Sequence, residues 1–299
     1  MPVTTKSNLS KPALYQLLEE YESALDWLRS KDLNIDPSRL NKYKKHFINL
    51  VENWGTETVQ EVVENRNYAA SIYEIYETIE IRKKLEEVNS TQLDACLKKA
   101  VSGHDLYSDE LGLKNSSSAR NYSFELYMAR YFKRAGYDLN FETLADFNAH
   151  DAVDSIFVEC KRPQKEETFG KNIKEALKQS IKRFLKDEKR NQKGIAAIDL
   201  TALINPNLEF FQVDDFEKIS DNLKLAAENY SPEIKKIFDG YGKDCLSVIL
   251  HWRIPVFHTK EHTIGLYNYC FSVPIFEPGS NSEEVFQRYN HRLMETVGQ

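Results

Sequence analysis

The stretch Ile156-Phe157-Val158-Glu159-Cys160-Lys161-Arg162-Pro163 constrains this chain more than any other. Ile156, Phe157 and Val158 are strand formers. In an extended backbone successive side chains alternate faces, so Glu159 and Lys161 share one face while Cys160 takes the other. A strand that begins apolar and ends with a carboxylate and an ammonium on one face terminates in a charged site. Asp146 lies thirteen residues before Glu159. It sits in a short run, Leu144 to Ala149, that can fold back as a β-hairpin through Asp151 to Asp154 and set Asp146 opposite Glu159. Two carboxylates and a lysine then converge.

Like charges buried together are unfavourable unless a cation neutralises them, and hard oxygen ligands suit Mg²⁺, with Mn²⁺ as a substitute. A divalent ion on two carboxylates beside a lysine can polarise a phosphodiester, activate a water and stabilise developing charge. The residue types therefore point to phosphodiester hydrolysis.

With Asp146 followed by Glu159-Cys160-Lys161 and Arg162-Pro163, the chain resembles the PD-(D/E)xK, or restriction-endonuclease-like, nuclease superfamily. The resemblance covers about residues 119–200, which read in the superfamily's order of helix, three-stranded meander, helix and strand. Ala145 stands where many members carry proline before the first acid. The resemblance implies an α/β (α+β) fold, with a restriction-endonuclease-like core of a central mixed sheet flanked by helices and an N-terminal helical region added. It implies Asp146 and Glu159 as metal ligands, a further ligand from the Cys160 backbone carbonyl, Lys161 beside the attacking water and Glu125 assisting the metal. Gln179 matches a glutamine that similar helices carry near the site, with a plain solvent-facing role equally open.

The net charge of −6 argues against a generally basic nucleic-acid coat. Its distribution argues the other way. Between Lys161 and Lys193 there are twelve Lys or Arg against five Asp or Glu, so this segment carries +7 and the remainder −13. Lys174, Lys178, Lys182 and Lys186 form an i+4 row, and with Arg162 the first three are the expected DNA-phosphate contacts; the alternative is a solvated helix face. No apolar run reaches membrane-spanning length, and the first residues, MPVTTKSNLS, carry no signal pattern, so the expectation is a cytoplasmic protein without a membrane partner. Four dispersed cysteines argue against a disulfide framework and a zinc site.

Leu14, Leu17, Leu18, Tyr21, Leu25 and Leu28 mark an amphipathic helix. Leu40 to Trp54, stopped by Gly55, marks a second; Ala69 to Ile79 and Leu93 to Ala100 mark two more. None carries a chemical motif, and DNA binding, dimerisation and stability are equally compatible with them. GLKNSSS, 112–118, is the expected boundary, giving a helical region over 1–112 and a nuclease-like domain over 113–299. Ser116, Ser117 or Ser118 can cap a helix with Phe124, Met128, Tyr131, Phe132 and Ala135 inward and Glu125 at the edge of that face.

Strands are expected at 137–142, 144–149 and 155–162. Asp151 and Asp154 rival Asp146 as first acid, which is preferred because Phe147 and Ala149 then pack on the opposite face. A helix over 171–186 should bury Ile173, Leu177, Ile181, Phe184 and Leu185, and GIAAIDLTALI from Gly194 reads as a buried parallel strand. Helical material over 214–238 and two strands, 245–257 and 262–273, follow; His251, His258 and His262 read as packing or edge residues rather than a second metal site.

The expected activity is Mg²⁺-dependent hydrolysis of DNA, an endonuclease of restriction, repair or defence, with a homodimer compatible. The alternative class is a non-catalytic DNA-binding or protein-interaction subunit that keeps the fold. Action on RNA or branched DNA is a third reading.

Overall fold

The computed structural model describes residues 3–6, 9–104, 118–186, 189–237 and 241–297. It is a three-layer arrangement: one curled mixed sheet with helices on both faces.

The N-terminal helices form where the apolar spacing predicts them. They are α1 (Lys11–Ser30), α2 (Arg39–Asn53), α4 (Arg66–Leu85) and α5 (Thr91–Ala100), with a short α3 (Val59–Glu64) between. Gly55, at φ 89°, takes the left-handed conformation that ends α2, where a Cβ would be strained. α3 was not expected; Thr58 and Glu61 close it with a reciprocal capping box. α4 is the centre of this layer, buried on most of its circumference.

The segment before α1 is not helical. Val3–Lys6 forms β1 and pairs antiparallel with β8 (Thr263–Pro274), so the sheet begins ahead of the helical layer. The boundary expected at 112–118 lies outside the described residues, apart from Ser118, which opens α6 (Ser118–Arg134); the proposed caps Ser116 and Ser117 lie outside with it. Helices of the N-terminal segment and residues of the sheet belong to one cluster of buried side chains.

The meander follows as expected but with shorter strands: β2 (Asp138–Asn140), β3 (Phe147–His150) and β4 (Asp154–Lys161), paired in succession antiparallel. α7 (Phe169–Lys182) then crosses over to β5 (Asn191–Asp199), which lies parallel to β4, as parallel pairing requires. The order across the sheet is β1-β8-β7-β5-β4-β3-β2, with β7 (Cys245–His258) between β5 and β8 and a short β6 (Phe211–Val213) also paired to β7. Helix α8 (Thr201–Ile204) uses the end of the apolar run that reads as strand from sequence.

Alternation along β4 and β5 divides the core. Ile156, Val158, Cys160, Ile195 and Ala197 face the layer that holds α4 and α6. Ala196 and Ile198 face α7 and α9 (Phe216–Ile237). α7 ends at Lys182, four residues earlier than expected, so Leu185 is 53% exposed rather than inward; Phe184 still packs on Phe157, ring centroids 5.5 Å apart. α7 lies close on the sheet at Gly194, where an added Cβ would overlap Ser180 Oγ and press within 3.1 Å of Cys245 Sγ. A helix missed in the sequence, α10 (Asn281–Val297), clamps the β3–β4 turn. Arg288 holds Asp154 through two bonds of 3.0 and 2.8 Å, and Arg292 holds Asp151 at 2.7 Å.

Candidate active site

The β3–β4 register pairs Phe147 with Val158 and His150 with Ser155, so continuing it by one step sets Asp146 opposite Glu159. β3 starts at Phe147, however, and among the described residues the edge of β4 beyond Val158 has no ladder partner on that side. The free backbone is met by the acid itself: the Cys160 amide donates to Asp146 Oδ2 at 2.6 Å. The N–H and C=O of one strand residue point the same way, so the Cys160 carbonyl faces this open edge too.

Asp151 and Asp154 are at the far end of the hairpin. Asp151 accepts from the Val153 and Asp154 amides, both at 2.8 Å, and both acids are held by α10. Neither reaches the end of β4 where Glu159 lies.

Glu159 is 3% exposed on the face of β4 that looks toward α7. Its buried Oε1 is ion-paired with Arg183 Nε at 3.5 Å, at the long edge of hydrogen bonding, with no closer donor among the described residues. Burial first, and the Asp146 charge second, push the Glu159 carboxyl up to about 7. Burial likewise raises Asp146, against the pull of the Cys160 amide and Lys161. Glu125, on α6, is pushed up to about 9 by burial and then by the charges of Asp146 and Glu159. Three acids thus share one electrostatic neighbourhood at the open end of β4, each disfavoured as an anion.

Lys161 donates to Gln179 Oε1 at 2.7 Å, so the glutamine is bound to the site lysine rather than facing solvent. Arg183, the C-cap of α7, was not singled out from sequence. The two lie four positions apart, on one side of the helix near its end, which brings both to the ExK face. α5 also reaches the neighbourhood. The Glu125 and Asp146 charges help raise the Cys96 thiol to about 12, after burial, and Lys99 Nζ donates to the Tyr122 hydroxyl at 2.8 Å.

The expected DNA contacts divide. Lys174, Lys178 and Lys182 are exposed along α7, opposite the buried Ile173, Ala176, Leu177 and Ser180. Arg162 departs from the expectation: its side chain is 4% exposed and Nε donates to Asp199 Oδ2 at 2.7 Å. The cause is the parallel neighbour, since β5 ends at Asp199 beside the residue that follows β4, and burial of that carboxylate draws in a cation. His251 is fully buried, bonded to Asn268 Oδ1 at 2.8 Å and depressed by burial to about 3, a packing residue as expected.

Among the described residues no group of three His, Cys, Asp or Glu side chains stands ready-formed to hold a metal ion. The donor types suit a hard divalent ion that keeps part of its water: Asp146, Glu159, whose Oε1 faces Arg183, and the Cys160 carbonyl on the open edge. No family model, curated protein or solved structure matches the chain.

Proposed function

We propose that the chain is a metal-dependent phosphodiester hydrolase acting on DNA, of the PD-(D/E)xK kind. The observation that supports this reading is the end of the β3–β4 hairpin: the register continued by one step sets Asp146 opposite Glu159, Asp146 accepts from the neighbouring Cys160 amide, and Lys161 lies on the same face as Glu159. Asp146, Glu159 and the Cys160 carbonyl would hold Mg²⁺ or Mn²⁺, and Glu125 would assist from α6. When bound, the ion supplies Lewis-acid polarisation of the phosphodiester and neutralises the buried acids. Lys161, oriented by Gln179, donates to the attacking water and to the oxygen on which negative charge develops. Lys174, Lys178 and Lys182 contribute phosphate attraction without sequence readout.

The test is nicking of plasmid DNA in Mg²⁺, abolished by EDTA. Lys161→Ala should lose cleavage by at least about a hundredfold while keeping the parent's circular dichroism and Tm, because Lys161 is half-buried at a sheet end and bonded only through its head group. A Lys161→Ala protein that cuts like the parent sinks the assignment. One observation favours the second reading, a DNA-binding or protein-interaction module: Arg183 and Gln179 already partner Glu159 and Lys161. Metal-independent DNA binding without cleavage by the parent would select it.

A further inference from the structure

The helical N-terminal layer reaches the site through α5. α5 packs on α6, and it is tied down at both ends. At its start, Glu142 Oε1 accepts from Ser90 Oγ at 2.9 Å, Thr91 Oγ1 at 3.1 Å and the Gln92 amide at 3.1 Å. Glu142 belongs to the β2–β3 connection, four residues ahead of Asp146, so the start of α5 is fixed to the loop that delivers the first acid. In its last turn Lys99 is fixed to Tyr122, with its Nζ 2.8 Å from the hydroxyl and 4.4 Å from the ring centroid. Tyr122 precedes Glu125 by one helical turn on α6, which places the lysine and the phenol beside the assisting acid. α7, with Gln179 and Arg183, borders the same site from the other face of the sheet.

We infer that α5 is the second wall of the cleft, and that Lys99, held by the Tyr122 hydroxyl, contacts a backbone phosphate of the nucleic-acid strand entering the site. This rests on the hydrolase reading for its substrate class. It gives the N-terminal layer a function: the layer closes the substrate path opposite α7. Lys99 is exposed, so it meets a phosphate without desolvating a buried group, and its tether to Tyr122 reduces the rotamer freedom that a free surface lysine loses on binding.

The experiment measures affinity for a fluorescent DNA duplex by anisotropy across a salt series, with Ca²⁺ in place of Mg²⁺ to hold off cleavage, for the parent, Lys99→Gln, Lys99→Arg and Tyr122→Phe. The expected result is a severalfold weaker Kd for Lys99→Gln, a salt slope lower by about one unit, restoration by Lys99→Arg and a smaller loss for Tyr122→Phe, all at unchanged Tm. Parent-like affinity and salt slope in Lys99→Gln overturn the inference. A parent that binds DNA but never cuts overturns the hydrolase reading and leaves the Lys99 comparison readable; a parent that binds no DNA overturns both.

Discussion

Arg183 Nε stands 3.5 Å from the buried Glu159 Oε1, with no closer donor to that oxygen among the described residues. The guanidinium occupies, in electrostatic terms, the place a divalent ion would take. If Glu159 holds the proposed ion, removing the fixed positive charge beside it favours that ion more than it favours a proton, because the ion carries twice the charge. Arg183→Gln is expected to tighten Mn²⁺ binding by on the order of tenfold, ~1.4 kcal/mol, in titration calorimetry at pH 8. Weaker Mn²⁺ binding in the variant would show that Arg183 supports the acid pair rather than competing for it.

The acids make stability depend on pH with a definite sign. Glu159 and Glu125 ionise near 7 and near 9 in the fold, against 4.5 for a free glutamate. Between those limits the folded chain holds more protons than the unfolded one, so their contribution is fully present below pH 4.5 and is lost as pH rises toward 9. The parent should therefore lose Tm relative to Glu125→Gln as pH is raised from 6 to 9. Added Mn²⁺ should recover more Tm at pH 9 than at pH 6, since binding must expel protons. Parallel Tm curves for parent and variant across this range would remove Glu125 from the charged neighbourhood.

Away from the site, α4 is fastened to the sheet by ions. Arg253 of β7 is bonded to Glu77, both nearly inaccessible, and its guanidinium stacks 3.9 Å from the Tyr73 ring centre and 4.0 Å from that of Tyr127. Glu74, one turn earlier, is bonded to Arg39 and accepts from Arg120 at 3.0 Å. Deleting one member strands the other without water. Glu77→Ala is expected to cost about 3–5 kcal/mol, read as a lower urea midpoint. The matching control is the exposed pair Arg29 and Asp26, whose loss should shift stability by less than about 1 kcal/mol. Equal midpoint shifts for the buried and exposed pairs would show that the ions do not fasten α4.

Much of the candidate site's placement is legible in the sequence because strand geometry is local. The alternation along Ile156 to Lys161 places Glu159 and Lys161 together, and counting back through a short turn brings Asp146 opposite Glu159. What was not legible depends on the phase of one element against another. Gln179 and Arg183 become site residues only once the rotation of α7 on the sheet is fixed, and Lys99 only once α5 is seated on α6. Arg162 looked available from its motif position, yet the end of β5 turns it inward toward Asp199. β1, a four-residue edge strand rich in threonine, has almost no sequence pattern to mark it.

Gly194 contributes no charge, donor or ligand, yet the seating of α7 against β5 is limited by its missing side chain. Ser180, which a Cβ there would strike, immediately follows Gln179, and Arg183 lies one turn further along the same helix. A larger residue at 194 must displace Ser180, and where α7 moves with it the Gln179 amide is drawn away from Lys161 and the Arg183 guanidinium away from Glu159. The proposed chemistry thereby depends on a position that touches none of its residues, and a saturation scan scored for cleavage should find intolerance at 194 where a scan of the candidate site alone would never look.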